Sequence, residues 1–231
     1  MVKGDRIVGI DIGTTKICTI VAEVDDQGGL KITGVGSAPS EGLKRGVVIN
    51  VEKTVKSIQE AIDRAEQMSD TRITAVYAGI AGDHIRSFNS RGVIAVSGPD
   101  NEITSNDEAR VIEAAKAINI PLDREIVHVL PQDFLVDDQP GIKDPIGMSG
   151  VRLEADVHIV TGAVTSAQNI CKSIRRAGVE IVDLVLEPIA SAYAVLTPDE
   201  EEMGCLLVDI GGGTSDIAVF YDGSIRHTAV V

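Results

Sequence analysis

Asp209-Ile210-Gly211-Gly212-Gly213-Thr214-Ser215-Asp216 is the stretch that decides the fold, and Asp11-Ile12-Gly13-Thr14-Thr15-Lys16, near the start of the chain, is its counterpart. Each follows an apolar run, residues 205–208 and 7–10, and each leads into another, residues 217–221 and 17–24. Each is therefore expected to be a tight turn between two strands, with an Asp at the end of the first strand. Glycine permits the sharp bend and leaves successive N–H groups uncovered, which makes an anion cradle. A carboxylate at the rim repels a bare phosphate, but a hydrated Mg²⁺ between the two removes the conflict. A lone D-x-G-T hairpin is as often only a turn. Three consecutive glycines are more specific, because each costs about 1 kcal/mol relative to Ala in ordered structure. The pair points to two lobes gripping one polyphosphate. Neither G-x-x-x-x-G-K-[ST] nor G-x-G-x-x-G occurs, which excludes a Walker ATPase and a Rossmann dinucleotide site.

The 231 residues allow one large domain or two small ones. Hydrophobic residues make up 44%, without Trp and with only 3% aromatics, so the core must be built from Val, Ile, Leu and Ala. A net charge of −14 argues against nucleic acid as a partner and against a polybasic membrane patch. No apolar run reaches the ~18 residues of a spanning helix. The N-terminus is read as running straight into a strand, with no signal peptide. Cys18, Cys171 and Cys205 are odd in number and widely spaced, and read as buried thiols of a cytosolic protein. The four histidines, His84, His128, His158 and His227, show no metal-ligand spacing and read as structural.

Outward from the first turn, residues 7–12, 17–24 and 31–37 read as three hairpin-linked strands. Asn50 then caps a helix to Met68, with Val51, Val55, Ile58, Ile62 and Ala65 at helical spacing. Residues 73–78 read as a returning strand. The texture changes at residue 83. Strand-like residues 85–97 precede a capping box at Ser105–Glu108 that opens a helix to Ile118. Short strands at 126–130 and 134–136, a Pro/Gly loop at 139–150 and a long strand at 151–161 complete an inserted α+β module. Ser166 is expected to cap a further helix ended by Gly178, followed by a strand at 181–186. Glu187-Pro188 opens a small-sided helix suited to the place where two lobes meet. A strand at 224–230 follows the second turn.

The two turns, with the Glu-Pro helix between them, resemble the actin, sugar-kinase and heat-shock-chaperone ATPase superfamily. The chain is more specifically similar to the FtsA family of bacterial cell-division proteins. That resemblance rests on residues 9–16, 41–46, 79–85, Pro145-Ile146-Gly147-Met148-Ser149-Gly150-Val151-Arg152-Leu153, residues 186–193, and residues 209–216. It implies an α/β, actin-like (ribonuclease-H-like) ATPase lobe, subdomain 1A, at 1–82 with 163–196. It places an inserted subdomain 1C at 83–162 and the start of a second lobe, subdomain 2A, at 197–231. Family chains continue well beyond this length, so the sequence is expected to be part of a longer one, with weak nucleotide binding or none by itself.

By the same resemblance the cofactors are ATP and Mg²⁺. Asp11 and Asp209 face the Mg²⁺ through water from opposite lobes. Gly13, Thr14 and Thr15 touch the phosphates, and Lys16 either neutralises phosphate charge or is a solvated hairpin lysine. Gly211, Gly212, Gly213 and Thr214 cradle the phosphate from the second lobe, and Asp216 orients their loop. Glu187 matches an acidic position near the attacking water; alternatively it is a carboxylate favoured by a helix N-terminus. Asp209 and Glu187 are thus the catalytic candidates, for an ATPase that is at most slow. The implied partners are FtsZ, further copies of the chain in filaments, later division proteins through subdomain 1C, and the inner membrane through a C-terminal helix outside this sequence. The implied location is the cytoplasmic face of that membrane at the division site. Two alternatives remain: a PilM-like type IV pilus assembly protein, and a small-molecule kinase of the same superfamily.

Overall fold

The computed structural model describes residues 5–231; residues 1–4, part of the N-terminal reading above, lie outside the described residues. Strands β1 (Arg6–Ile12), β2 (Lys16–Val24) and β3 (Leu30–Pro39) form an antiparallel meander. A two-residue pair, β4 (Leu43–Lys44) and β5 (Val47–Val48), precedes α1 (Val51–Ser69), and β6 (Ala75–Ile80) then pairs parallel with β1. The Asn50 side chain accepts from Lys53 N and caps α1. Val8, Ile10 and Ile12 alternate inward on β1 and meet Ile58, Ile62 and Ala65 of α1 in one core. The helix lies directly on the backbone of β3. A Cβ at Gly36 would stand 1.9 Å from the Ala61 carbonyl oxygen, so only glycine permits this approach.

The chain then leaves this layer to build the inserted domain. It comprises β7 (Arg86–Ala95), α2 (Ser105–Lys116), β8 (Arg124–Val136), β9 (Gln139–Ile142) and β10 (Arg152–Ala163), in a sheet of order β7-β10-β8-β9. Val111 and Ala115 of α2 cover one face of that sheet, against Leu153, Ala155, Val157 and Ile159. Three details differ from expectation. Thr104, one residue before Ser105, is the cap of α2, bonded reciprocally with Asp107. The two short strands are one 13-residue β8, whose pairing with β10 shifts register beside Pro131. The loop after Val136 contains β9, which hairpins back onto β8.

The return adds α3 (Val164–Arg176) and β11 (Glu180–Leu186), which completes a five-stranded sheet of order β11-β6-β1-β2-β3. Ser166 lies inside α3 and does not cap it; Ala163 is the N-cap, without a side-chain bond. Helix α4 (Glu187–Val195) follows, then α5 (Pro198–Met203), a short helix absent from the sequence reading despite its Thr197–Glu200 capping box. The chain closes with β12 (Cys205–Ile210), β13 (Ser215–Tyr221) and β14 (Ser224–Val230) in an antiparallel meander. This meander repeats β1–β2 pair for pair: Asp11 opposes Cys18 and Ile12 opposes Ile17, as Asp209 opposes Asp216 and Ile210 opposes Ser215.

Ala218, Phe220 and Ile225 join the main core, whereas Leu206 and Val208 on β12 face solvent. The three cysteines are free and half-buried, rather than buried as their spacing led us to expect. No helix among the described residues is long and apolar enough to cross a membrane.

Candidate functional site between two glycine turns

Both glycine stretches are turns between antiparallel strands, closed by the same hydrogen bond. Gly13 N donates to Lys16 O at 3.1 Å, and Gly211 N donates to Thr214 O at 3.0 Å. The fold brings the two tips into contact. A Cβ at Gly212 would come within 2.2 Å of Thr15 Cγ2, and one at Gly213 within 2.6 Å of Thr14 Oγ1. The run of glycines is therefore required sterically as well as for its N–H groups.

Four carboxylates gather behind these tips. Asp11 and Asp209 occupy matching places near the ends of β1 and β12. Ser191 on α4 donates to Asp209 Oδ2 at 2.9 Å. Glu187 begins α4 and lies over β6, where its Cγ would be 3.1 Å from a Cβ at Gly79. Asp216 is buried; its Oδ2 accepts from the Thr214 hydroxyl at 3.2 Å, and its Oδ1 has no partner.

Burial and crowding resist the ionisation of Glu187, Asp11 and Asp216. Burial pushes the Glu187 carboxyl up to about 8, with Asp11, Asp216 and Asp209 adding repulsion. Asp11 is solvent-exposed on one side, but protein atoms desolvate the other and raise its carboxyl; Lys16 opposes this and Asp209 reinforces it. Burial also raises Asp216, against the Thr214 hydroxyl and the Gly82 N–H, with Asp209 again adding repulsion. Lys16 itself is exposed.

This donor set fits a hydrated divalent cation with phosphate. The carboxylates repel one another, one buried oxygen is unpartnered, and the Gly212–Gly213 backbone at the tip of one turn faces Thr14 and Thr15 of the other. Among the described residues no three acidic, His or Cys side chains are placed to chelate a bare ion, so a cation here would be met through its water shell.

The sequence reading missed three contributors. Ser191 stands four residues after Glu187 on the same face of α4, and that spacing in an otherwise small-sided helix was the available signal. Gly46 N donates to Thr14 Oγ1 at 3.4 Å, and Gly82 approaches Gly46 closely. Neither glycine contact leaves a mark in local sequence.

With this geometry in view, similarity to known proteins is informative. The model of the SHS2 domain inserted in FTSA matches residues 82–161. The cell division protein FtsA of Pseudomonas aeruginosa is 55% identical over 99% of this chain and 54% of its own length. Those of Neisseria meningitidis and Escherichia coli are 51% and 44% identical, over 96% and 97% of this chain and 53% of each relative. The chain thus spans about half the length of the curated relatives it matches.

Among solved structures, one from a PilM-PilN type IV pilus biogenesis complex superposes with a TM-score of 0.70 at 16% identity, covering 97% of this chain and 61% of that one. The ethanolamine utilization protein EutJ from Carboxydothermus hydrogenoformans gives 0.53 at 19% identity, covering 100% of this chain and 53% of that one. Likeness at this identity speaks for the fold alone, which is the actin-like α/β class. In its sequence, over nearly all of its residues, the chain is thus similar to part of the FtsA cell-division proteins.

Proposed function

We propose that this chain is the phosphate-gripping part of a cell-division adaptor that binds Mg·ATP, polymerises in the manner of actin, and links FtsZ to the inner membrane and to later division proteins. The observation that carries the nucleotide reading is the convergence of Asp11, Asp209, Asp216 and Glu187 behind two facing glycine turns. Asp11 and Asp209 would hold the water shell of the metal. The N–H groups of Gly212 and Gly213, with the hydroxyls of Thr14, Thr15 and Thr214, would bind phosphate oxygens, while those of Gly13 and Gly211 close their own turns. Bound Mg²⁺ supplies charge neutralisation for the polyphosphate.

Ser191 fixes the Asp209 carboxylate, and Asp216 fixes Thr214. Glu187 holds a proton at neutral pH while its neighbours are uncompensated. A cation beside it would release that proton and leave an acceptor able to orient a water. A slow switch is the reading we adopt. The PilM-like alternative rests on fold, whereas sequence identity favours the division protein.

Melting with Mg·ATP tests the reading. In a chain carried to the full length of its relatives, millimolar Mg·ATP should raise the melting temperature, and Asp209→Ala should abolish the rise. An unchanged melting curve in the unsubstituted protein refutes it.

A further inference from the structure

Helix α4 starts without a cap of its own. Its N-cap is Leu186, whose side chain holds no acceptor, and its second residue, Pro188, has no N–H. The strand that feeds it, β11, is the end strand of the five-stranded sheet, with β6 on its inner edge. Two of its N–H groups are met by side chains. Leu184 N donates to Oδ1 of its own exposed neighbour Asp183 at 2.8 Å. Leu186 N donates to His128 Nε2 at 2.9 Å, which reaches across from β8 of the inserted domain.

His128 is well placed to accept. Val127 and Leu130 of the same strand pack against the main core, and His128 itself pairs with Val160 of β10. Burial lowers its pKa from 6.5, against the field of Asp183, so the ring is neutral at pH 7. With Nε2 accepting, Nδ1 carries the proton. Leu186 is buried, so without His128 its N–H would be cut off from water and left unpaired.

The ladder between β11 and β6 ends at Leu186, opposite Ile80, and Glu187 is the first residue past it. The Glu187 side chain lies along β6, where a Cβ at Gly79 would stand 3.1 Å from its Cγ and 3.2 Å from its Oε1. That fit holds the carboxyl in the field of Asp11, Asp216 and Asp209. Ile189 and Ala192 seat the body of α4 in the core. The placement of its first residue is what the His128 bond adds.

We propose that His128 is a positioning residue for Glu187. By accepting from Leu186 N it sets where the site carboxyl stands, and the inserted domain thereby takes part in the phosphate site. That the carboxyl then orients a water rests on the nucleotide reading; the placement itself does not.

Carboxyl-labelled glutamate in the 231-residue chain, in metal-free buffer, reports the placement by NMR, with the Glu187 signal assigned by its absence from Glu187→Gln. In the unsubstituted chain it should titrate at about 8. His128→Leu, which offers no acceptor, should lower that midpoint by about one unit, because a loosened first turn admits water to the carboxyl. His128→Gln, whose Oε1 can accept from Leu186 N, should keep most of the shift. A structural role alone would cost His128→Leu stability in urea and leave the midpoint in place, and that result overturns the proposal. So does an equal fall in His128→Gln, or an ordinary carboxylate midpoint in the unsubstituted chain. If His128→Leu does not fold, His128→Met takes its place. Hydrogen exchange needs no variant: the Leu186 amide should exchange more slowly than that of Leu184, whose acceptor is exposed, and equal rates overturn the bond itself. None of these measurements contains a ligand, so failure of the nucleotide reading is seen separately, as an unchanged melting curve with Mg·ATP.

Discussion

Glu187→Gln should make the chain more stable in alkaline buffer and change little in acid. The folded carboxyl titrates at about 8 because of burial and three neighbouring carboxylates, against 4.5 for the ordinary side chain. Between those values the folded state holds a proton that the unfolded state has released. Stability from this group is therefore complete below 4.5 and is lost as pH rises through 8. The full difference corresponds to at most about 5 kcal/mol. Glu187 keeps some solvent contact and shares its field with Asp11, Asp209 and Asp216, so about 2–3 kcal/mol is the expected loss. Glutamine has nearly the same shape, carries no charge, and donates to the surrounding carboxylates. The assay is urea unfolding of the 231-residue chain from pH 5 to 9 in metal-free buffer. The variant and the unsubstituted chain should agree at pH 5, and the variant should be more stable by about 2 kcal/mol at pH 8.5. Parallel profiles, or a gap that widens toward acid, would refute the reasoning.

Two further outcomes follow from packing and burial. Gly36→Ala sets a Cβ 1.9 Å from the Ala61 carbonyl oxygen and 2.5 Å from Ala65 N, so α1 must lift from β3; a loss of about 2–3 kcal/mol in urea unfolding is expected, and a loss under about 0.5 contradicts the contact. His158 is buried between the inserted sheet and β14, and desolvation, with His227 nearby, lowers it from 6.5 to about 4. Its stabilising contribution is therefore present above pH 6.5 and lost as pH falls toward 4, and an NMR titration midpoint above 6 would contradict its burial.

The local parts of this structure were legible where a side chain announces a backbone event. Asn50 names the start of α1, Pro188 the start of α4, and the alternation in residues 7–12 the inward face of β1. The second glycine turn was legible from three consecutive glycines, and the first from Gly13 after an Asp at the end of an apolar run. What the sequence could not show depends on partners distant along the chain. Residues 131–133 were left between two short strands, yet a register shift against β10 beside Pro131 carries β8 through them. Thr104 rather than Ser105 caps α2, since both residues suit the role and only the chain path decides. Ser191 became part of the site because α4 aims it at Asp209, which lies on a different sheet. The contacts that seat β14 on the inserted domain join residues far apart in the chain, such as Ser87 with Thr228, and no local pattern encodes them.

The repeat between the two meanders sharpens the electrostatic argument. The cross-strand partner of Asp11 is Cys18, whereas the partner of Asp209 is a second carboxylate, Asp216. The residue whose carbonyl closes the first turn is Lys16, and in the second turn it is the neutral Thr214. The first turn thus brings one carboxylate and one compensating cation, while the second brings two carboxylates and none. Closing the lobes without a metal places this uncompensated pair beside Asp11 and Glu187, and the raised carboxyls of Glu187, Asp11 and Asp216 are the record of that conflict. A divalent cation between the turns would relieve the repulsion from both sides, with the larger gain at the second turn. Without one, closure must be secured elsewhere. The bonds of Ser87 with Thr228 and of Gln132 with Ile225 seat β14 on the inserted domain at a distance from the charges themselves.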